Sequence, residues 1–325
     1  YLIRLHLPKI IKMYGPVFDI ILPIFGILLI GYTTASFGWF DQTAVRGLTR
    51  YVFDFAVPML LLRTIATTSL PEVIPWDYLA AYYLGTLTVL FTGFFITWVF
   101  WKRTFSERVI NAFSGCFSNT VLLGIPVILL AFGERATLPL FLIIGTHGLI
   151  MLPRFTIMLE MGKSGRAPIP TVIARTSYGL FTNPLIIGIL AGVACNLFEI
   201  TLWKPLDEMA KLLGDSVTPG ALFALGATLS GFRGKIQWQE VPLFVIMKTI
   251  IHPLIVGVLA TQVFDIRNTT WVQVLVMLAA MPTGVNPFLF ASRYNVGQSV
   301  SSGTAFISTI FSIFSISVLL AYFQQ

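Results

Sequence analysis

Ser114-Gly115-Cys116-Phe117-Ser118-Asn119-Thr120-Val121-Leu122-Leu123-Gly124-Ile125-Pro126 places an amide, three hydroxyls, two glycines and a proline inside an apolar segment long enough to span a membrane. Proline removes a backbone donor and clashes with the preceding turn, so a helix is expected to break here. Lipid cannot satisfy the freed N–H and C=O groups, so the break must face protein, water or a ligand. A second break is predicted at Met281-Pro282-Thr283-Gly284-Val285-Asn286-Pro287. Two interrupted helices at corresponding positions of two halves are typical of a transporter's binding site.

The composition is that of a polytopic membrane protein. Of the 325 residues, 56% are hydrophobic and 11% are charged, whereas a soluble protein carries about 25% charged residues. The net charge of +7 is explained by the bias of Lys and Arg toward cytoplasmic loops, without invoking nucleic acid. Cys116 and Cys195 both fall in apolar segments, so no disulfide framework, metal cluster or cofactor is predicted.

Apolar periodicity predicts an all-α fold of ten transmembrane helices, here called spans 1 to 10. The predicted bounds are 17–37, 47–67, 77–101, 109–131, 137–159, 178–198, 206–230, 240–264, 271–293 and 299–323, with spans 4 and 9 broken. The corresponding domains are an N-terminal tail (1–16), a first five-helix repeat (17–160), a cytoplasmic linker (161–177) and a second five-helix repeat (178–325). A signal peptide is the alternative interpretation of the first apolar run, which follows Arg4, Lys9 and Lys12, but no small-residue cleavage site follows it.

The two halves share an internal repeat. A shift of 161 residues overlays Asp54 on Asp215, Pro58 on Pro219 and Pro126 on Pro287. Two units of five spans joined by one linker insert with opposite orientation because five is odd, so the repeat is predicted to be inverted.

The distribution of Lys and Arg predicts the orientation in the membrane. The loops on the side of the linker are richer in basic residues than the loops on the other side, and the linker is therefore assigned to the cytoplasm. The expected location is a bacterial inner membrane, with both termini periplasmic. The basic residues on the linker side are Arg46, Arg50, Lys102, Arg103, Arg108, Arg154, Lys163, Arg166, Arg175, Arg233, Lys235 and Arg293.

Three segments together resemble the auxin efflux carrier family, which includes plant PIN carriers and bacterial malate and malonate permeases. They are Phe55-Ala56-Val57-Pro58, Asn119-Thr120-Val121-Leu122-Leu123-Gly124-Ile125-Pro126, and Pro282-Thr283-Gly284-Val285-Asn286-Pro287-Phe288-Leu289-Phe290-Ala291 through Tyr294-Asn295. The short linker and Asn286 match the bacterial members better than the plant carriers.

The resemblance implies how such a chain is built and what it does. It implies a fold like that of bile-acid symporters and sodium/proton antiporters, with spans 4 and 9 crossing. Spans 1, 2, 6 and 7 would form a scaffold, and spans 3–5 and 8–10 a moving bundle. It also implies elevator-like transport of small organic anions by a homodimer.

Asn119 and Asn286 are the first candidates for substrate binding. A carboxylate in the middle of a membrane needs hydrogen-bond donors that replace water, and neutral amides with half-helix N-termini supply them. Backbone at Gly124 and Gly284 allows close approach because no side chain intervenes. The remaining candidates are the hydroxyl donors Ser118, Thr120 and Thr283 and the helix-breaking prolines Pro126, Pro282 and Pro287. The alternative is that these polar groups only bridge helices.

Five ionisable residues are candidates for sodium or proton coupling, because intramembrane charges are costly and often functional. Asp54 and Asp215 occupy equivalent positions in the two halves. The alternative is that both lie near helix ends, where they are solvated or cap the helix. Lys248 and His252 lie four residues apart on one helix face; the alternative for Lys248 is snorkelling toward the interface. His147 is either a proton carrier or a hydrogen-bonded interhelical residue.

The residues favour a transporter over four other classes of membrane protein. An intramembrane enzyme is the first alternative, but no metalloprotease or paired-aspartate motif is present. A nucleotide-driven pump would need a phosphate-binding Gly-x-x-x-x-Gly-Lys segment, which is absent. A channel fits the hydropathy, and a retinal protein would use Lys248. The residues therefore favour a secondary transporter of carboxylates, and the family resemblance implies mono- or dicarboxylates, including auxin-like anions, as its substrates.

Overall fold

The computed structural model describes residues 2–68, 75–162, 178, 182–232 and 236–323, with side chains from Val17 onward. This part of the chain is helical, apart from connecting turns and one isolated antiparallel bridge between Ser118 and Thr283. The predicted linker lies outside the described residues from position 163 onward, as do Arg233 and Lys235.

The helices of the first half follow the predicted order, with breaks inside spans 2 and 4. A π-helical turn (Val52–Ala56) joins α2 to α3, and a second π turn (Thr120–Gly124) precedes α6. A 3-10 turn (Gly133–Ala136) leads into α7. The helices are α1 (Leu2–Ser36), α2 (Gln42–Tyr51), α3 (Val57–Thr67), α4 (Trp76–Trp101), α5 (Phe105–Cys116), α6 (Ile125–Phe132) and α7 (Thr137–Met161).

The second half is also helical, with its π turns at other places than in the first half. π turns at Met247–Ile251 and Leu259–Val263 interrupt the region of span 8. The helices are α8 (Pro184–Leu197), α9 (Lys204–Asp215), α10 (Val217–Ser230), α11 (Val241–Ile246), α12 (His252–Val258), α13 (Thr269–Ala280), α14 (Asn286–Tyr294) and α15 (Gln298–Phe323).

Helix starts are set by local capping chemistry. Thr104 and Glu107 form a reciprocal capping box at the start of α5. Asn268 accepts a hydrogen bond from the Trp271 N–H at the start of α13. At α6 and α14, Pro126 and Pro287 occupy the first turn, where a missing N–H costs nothing.

The two interruptions lie side by side and pair their backbones. The Asn119 N–H donates to the Pro282 carbonyl (2.9 Å), and the Gly284 N–H donates to the Phe117 carbonyl (3.1 Å). The Thr283 N–H donates to Ser308 Oγ (3.0 Å). These bonds satisfy groups that an unbroken helix would pair internally, so the break is stable away from water.

Six helical segments are long and apolar enough to cross a membrane, and two shorter apolar helices, α8 and α13, accompany them. The chain is thus a multi-pass, all-helical membrane protein in the part that the structure describes. Fewer than ten segments meet the length criterion because Thr120–Met161 joins the second half of span 4 to span 5 in one segment, α8 and α13 leave spans 6 and 9 short, and the polar α2 opens span 2. The first helix starts at Leu2 instead of near residue 17, so helical backbone replaces the predicted tail.

Candidate functional site

A cavity of about 420 Å³ lies against the crossing of the two interruptions. We call it the crossing cavity. The paired backbone around Ser118 and Gly284 lines it, together with residues of α2 and its π turn, of α7 and of the start of α8. Its volume falls in the usual range for small-molecule sites, about 300–1,000 Å³.

Asn119 lies at the buried end of this cavity and is 6% exposed. Its Oδ1 accepts the Leu122 N–H (3.2 Å), which caps the π turn that follows. Its Nδ2 has no hydrogen-bond partner among the described residues. A buried donor without an acceptor costs about 1–3 kcal/mol. A ligand that supplies an acceptor would remove this cost.

Two further amides line the same cavity. Asn286 is the first residue of α14 and is half-buried. Asn183 caps α8, where its Oδ1 accepts the Leu185 N–H (2.9 Å). The sequence analysis missed Asn183, although it precedes Pro184 just as Asn286 precedes Pro287. That shared Asn-Pro step at a helix start was the signal that could have identified it.

His147 also reaches the cavity and is 2% exposed. Its ring packs against the rings of Phe117 (centroids 4.5 Å apart) and Tyr82 (5.7 Å). Neither ring nitrogen has a hydrogen-bond partner among the described residues. His147 therefore makes no interhelical hydrogen bond to a described residue, which the alternative interpretation of this histidine required.

The other predicted binding residues divide into two groups. Ser118, Thr120 and Gly284 line the cavity, and Ser118 Oγ accepts the Tyr82 hydroxyl (3.2 Å). Thr283 and Gly124 do not line it. The Thr283 hydroxyl donates to the Ser114 carbonyl (2.6 Å), and a Cβ on Gly124 would meet Leu278 Cδ2 at 3.0 Å. These two residues pack the crossing together.

The symmetric aspartates occupy different environments. Asp54 lines the crossing cavity, and its side chain is 37% exposed and pairs with Arg50 (3.6 Å). An exposed pair of this kind contributes about 0–1 kcal/mol. Asp215 ends α9, is exposed and does not line the cavity. Of these two aspartates, Asp54 belongs to the described lining of the cavity and Asp215 does not.

Lys248 and His252 lie behind the crossing and do not line the cavity. Lys248 has no exposed surface, so the snorkelling alternative is wrong. Its Nζ donates to the Ala279 carbonyl (2.5 Å) and lies 3.2 Å from His252 Nδ1. His252 Nε2 lies 3.0 Å from the Thr86 hydroxyl. Because Ala279 is in the last turn of α13, the lysine sits where a helix C-terminus favours a cation.

The crossing cavity offers mainly neutral hydrogen-bonding side chains among apolar ones. Asp54 is the one acidic residue in its described lining, and no Lys or Arg belongs to that lining. Among the described residues, no group of three His, Cys, Asp or Glu side chains is placed to hold a metal ion. Amides, hydroxyls and an imidazole can hold a carboxylate without a fixed counter-charge.

Comparison with known proteins shows the family. The family model described as "Membrane transport protein" matches residues 16–320. A protein of Rhizobium meliloti named "Putative malonate transporter" is 30% identical over 93% of this chain and 94% of its own length. "Uncharacterized transporter YfdV" of Escherichia coli is 23% identical over 89% and 92%. "Auxin efflux carrier component 8" of Arabidopsis thaliana is 22% identical over 87% and 91%. These family and relative names are those of transporters, not enzymes. The chain belongs to the membrane transport protein family that includes the auxin efflux carriers.

Proposed function

We propose that this chain is a secondary transporter of small organic anions, with mono- or dicarboxylates such as malonate bound in the crossing cavity. The unpartnered, buried Nδ2 of Asn119 carries the proposal, because it points to an acceptor supplied by a ligand. Asn286 and Asn183 line the same cavity and offer further amide donors. The name of the Rhizobium relative supports a short dicarboxylate.

The absence of a cation from the described lining fits a solute that must be released. An ion pair with a buried lysine or arginine would hold a carboxylate strongly, whereas amide donors bind it by contacts of about 0.5–1.5 kcal/mol each. The first turn of α14 adds backbone N–H groups that have no intrahelical acceptor. Weak, graded binding is suited to turnover.

An inverted repeat of ten spans is part of the proposal. Under the 161-residue shift, Gly31 corresponds to Gly192, and Phe223 corresponds to Leu62. A Cβ on Gly31 would collide with the Phe223 carbonyl oxygen, and a Cβ on Gly192 would meet the Leu62 carbonyl oxygen at 2.9 Å. The same close helix contact thus occurs twice between the two halves, once between α1 and α10 and once between α3 and α8, which supports a shared scaffold.

The mechanism that we propose is elevator-type alternating access. Spans 1, 2, 6 and 7 form the scaffold, and spans 3–5 and 8–10 carry the bound anion past it. The protein works as a homodimer in a bacterial inner membrane, with both termini periplasmic. Sodium or proton coupling would involve Asp54 or His147, the two ionisable residues that line the cavity.

Counterflow in liposomes tests the function. Protein-containing vesicles preloaded with malonate, malate, lactate or indole acetate should take up the same labelled anion with saturation, and the assay is run with and without sodium. Unsaturable flux would indicate a channel, and no flux of any of the four anions would contradict the proposal.

A further inference from the structure

A second polar cavity, of about 400 Å³, lies at the other end of the helix that borders the crossing cavity. We call it the distal cavity. The residues lining the crossing cavity from this helix include Thr49 and Phe53, and those lining the distal cavity include Leu60, Thr64 and Thr67. The helical stretch 42–67, which includes the π turn, therefore borders both cavities.

The bundle side shows the same arrangement. Leu122 and Ile144 line the crossing cavity, whereas Leu129 and Phe141 line the distal cavity. The π turn with α6, and α7, therefore also border both cavities. The two cavities therefore occupy opposite ends of one seam between α2–α3 and α6–α7.

Arg63 is the cation in the described lining of the distal cavity. Its Nε and Nη2 donate to Asp207 on α9 (2.7 and 3.3 Å), and its side chain is 37% exposed. The bonds to Asp207 use one edge of the guanidinium, so the edge that includes Nη1 is left to receive a second carboxylate. A partly exposed pair contributes about 0–1 kcal/mol, so competition with Asp207 is inexpensive.

We propose that Arg63 is a second residue that contacts the transported anion. It binds the carboxylate of that anion on the side of the membrane that the distal cavity faces. This inference rests on the proposed function. When the bundle carries the crossing along the seam, the bound anion arrives beside the guanidinium, which supplies the attraction that the crossing cavity lacks. Asp207 then acts as a competing carboxylate that prevents Arg63 from retaining the anion. Glu134, the other charged residue of the lining, is exposed and screened by solvent.

The test measures malonate KM separately from the two sides of the membrane, in right-side-out and inside-out vesicles. Arg63→Gln should raise the KM from the distal side roughly tenfold, which is the factor for about 1.4 kcal/mol, and leave the KM from the other side unchanged. Asp207→Asn should lower the distal-side KM because it removes the competitor. The control is Arg267→Gln, an exposed arginine paired with Asp265 outside both cavities, which should change neither KM.

Opposite shifts in the two variants separate an anion site from an ion pair that only supports the fold. If Arg63→Gln and Asp207→Asn raise the distal-side KM alike, or if neither changes it, the proposal is wrong. Where Arg63→Gln is not recovered folded, Arg63→Lys keeps the charge but loses the planar fork, and it should raise the distal-side KM alone. A wild-type protein without carboxylate flux overturns the proposed function and this inference with it, whereas wild-type flux with unshifted KM values overturns only the inference.

Discussion

At the scale of the residue, the crossing cavity combines buried donors with an absence of fixed positive charge in its described lining. The Asn119 amide is used on one side, because Oδ1 caps the π turn while the buried Nδ2 has no hydrogen-bond partner among the described residues. A substitution that keeps the acceptor but removes the donor therefore separates folding from binding.

Asn119→Asp is such a substitution. The carboxylate retains an oxygen that accepts the Leu122 N–H, but it lacks the donor and repels an anion. We expect malonate counterflow to fall at least tenfold, the factor for about 1.4 kcal/mol, in a protein that is still recovered folded because the cap is kept. Asn268→Asp is the matched control, since Asn268 caps α13 outside the cavity. Near-normal counterflow by Asn119→Asp would remove this residue from the site.

His147→Phe should move stability and binding in opposite directions. An unpartnered buried imidazole carries a desolvation cost of about 1–3 kcal/mol, which phenylalanine does not have, and the ring contacts with Phe117 and Tyr82 are kept. We therefore expect an equal or higher melting temperature and a higher malonate KM. A lower melting temperature with an unchanged KM would indicate a structural histidine.

At the scale of the element, the broken helices depend on side chains that hydrogen-bond the free backbone groups at the helix ends. Sequence patterns located both breaks because proline, glycine and asparagine are rare together inside apolar spans. They could not reveal that Lys248 caps the end of α13, because that contact joins residues 31 apart in sequence. Tertiary contacts of this kind leave no local periodicity.

Lys248→Met tests the closing of α13. The Ala279 carbonyl and His252 Nδ1 would lose their donor, and a buried unsatisfied acceptor costs about 1–3 kcal/mol. We expect a lower melting temperature, together with reduced transport because the crossing loosens. Lys211→Met, which removes an exposed lysine from α9, should leave both unchanged. Equal stability of the two variants would show that the lysine does not support the break.

The glycines of the scaffold give a comparison within one helix. Gly31→Ala and Gly192→Ala each force a methyl group onto a backbone carbonyl of the facing helix, with an expected cost of about 1–3 kcal/mol. Gly26→Ala lies on the same helix as Gly31 and meets nothing within 4 Å, so it should be tolerated. Similar losses of melting temperature at positions 31 and 192 would support the equivalence of the two halves. A loss at one position alone would contradict it.

At the scale of the whole molecule, the sequence predicted the order of helices and the position of both breaks because hydrophobic length and proline are local signals. The crossing cavity was predicted only in part. Asn119 and Asn286 both line it, but Gly124 and Thr283 are used in packing, and Asn183 comes from a helix that sequence reasoning assigned to the scaffold. A cavity formed by distant segments depends on packing, which single positions do not encode.

A topology experiment distinguishes ten membrane spans from the six segments that meet the length criterion. In the proposed ten-span topology, spans 2 and 3 separate Trp39 from Lys102, so both positions face the cytoplasm, whereas Arg267 faces the periplasm. If only the six segments crossed, α4 alone would separate Trp39 from Lys102, and these two positions would face opposite sides.

Single cysteines at these three exposed positions make the topology measurable. The background replaces the natural cysteines, Cys116 and Cys195, with alanine. In right-side-out vesicles, an impermeant maleimide should label Arg267→Cys directly, and it should label Trp39→Cys and Lys102→Cys only after the membrane is permeabilised. Labelling of Trp39→Cys and Lys102→Cys from different sides would exclude the inverted repeat, because an odd number of crossings would then lie between them. If all three positions are labelled from the opposite sides of the membrane, the repeat is kept and both termini lie in the cytoplasm. The repeat fixes only how the two halves are oriented relative to each other, and the distribution of Lys and Arg alone predicts which side is cytoplasmic.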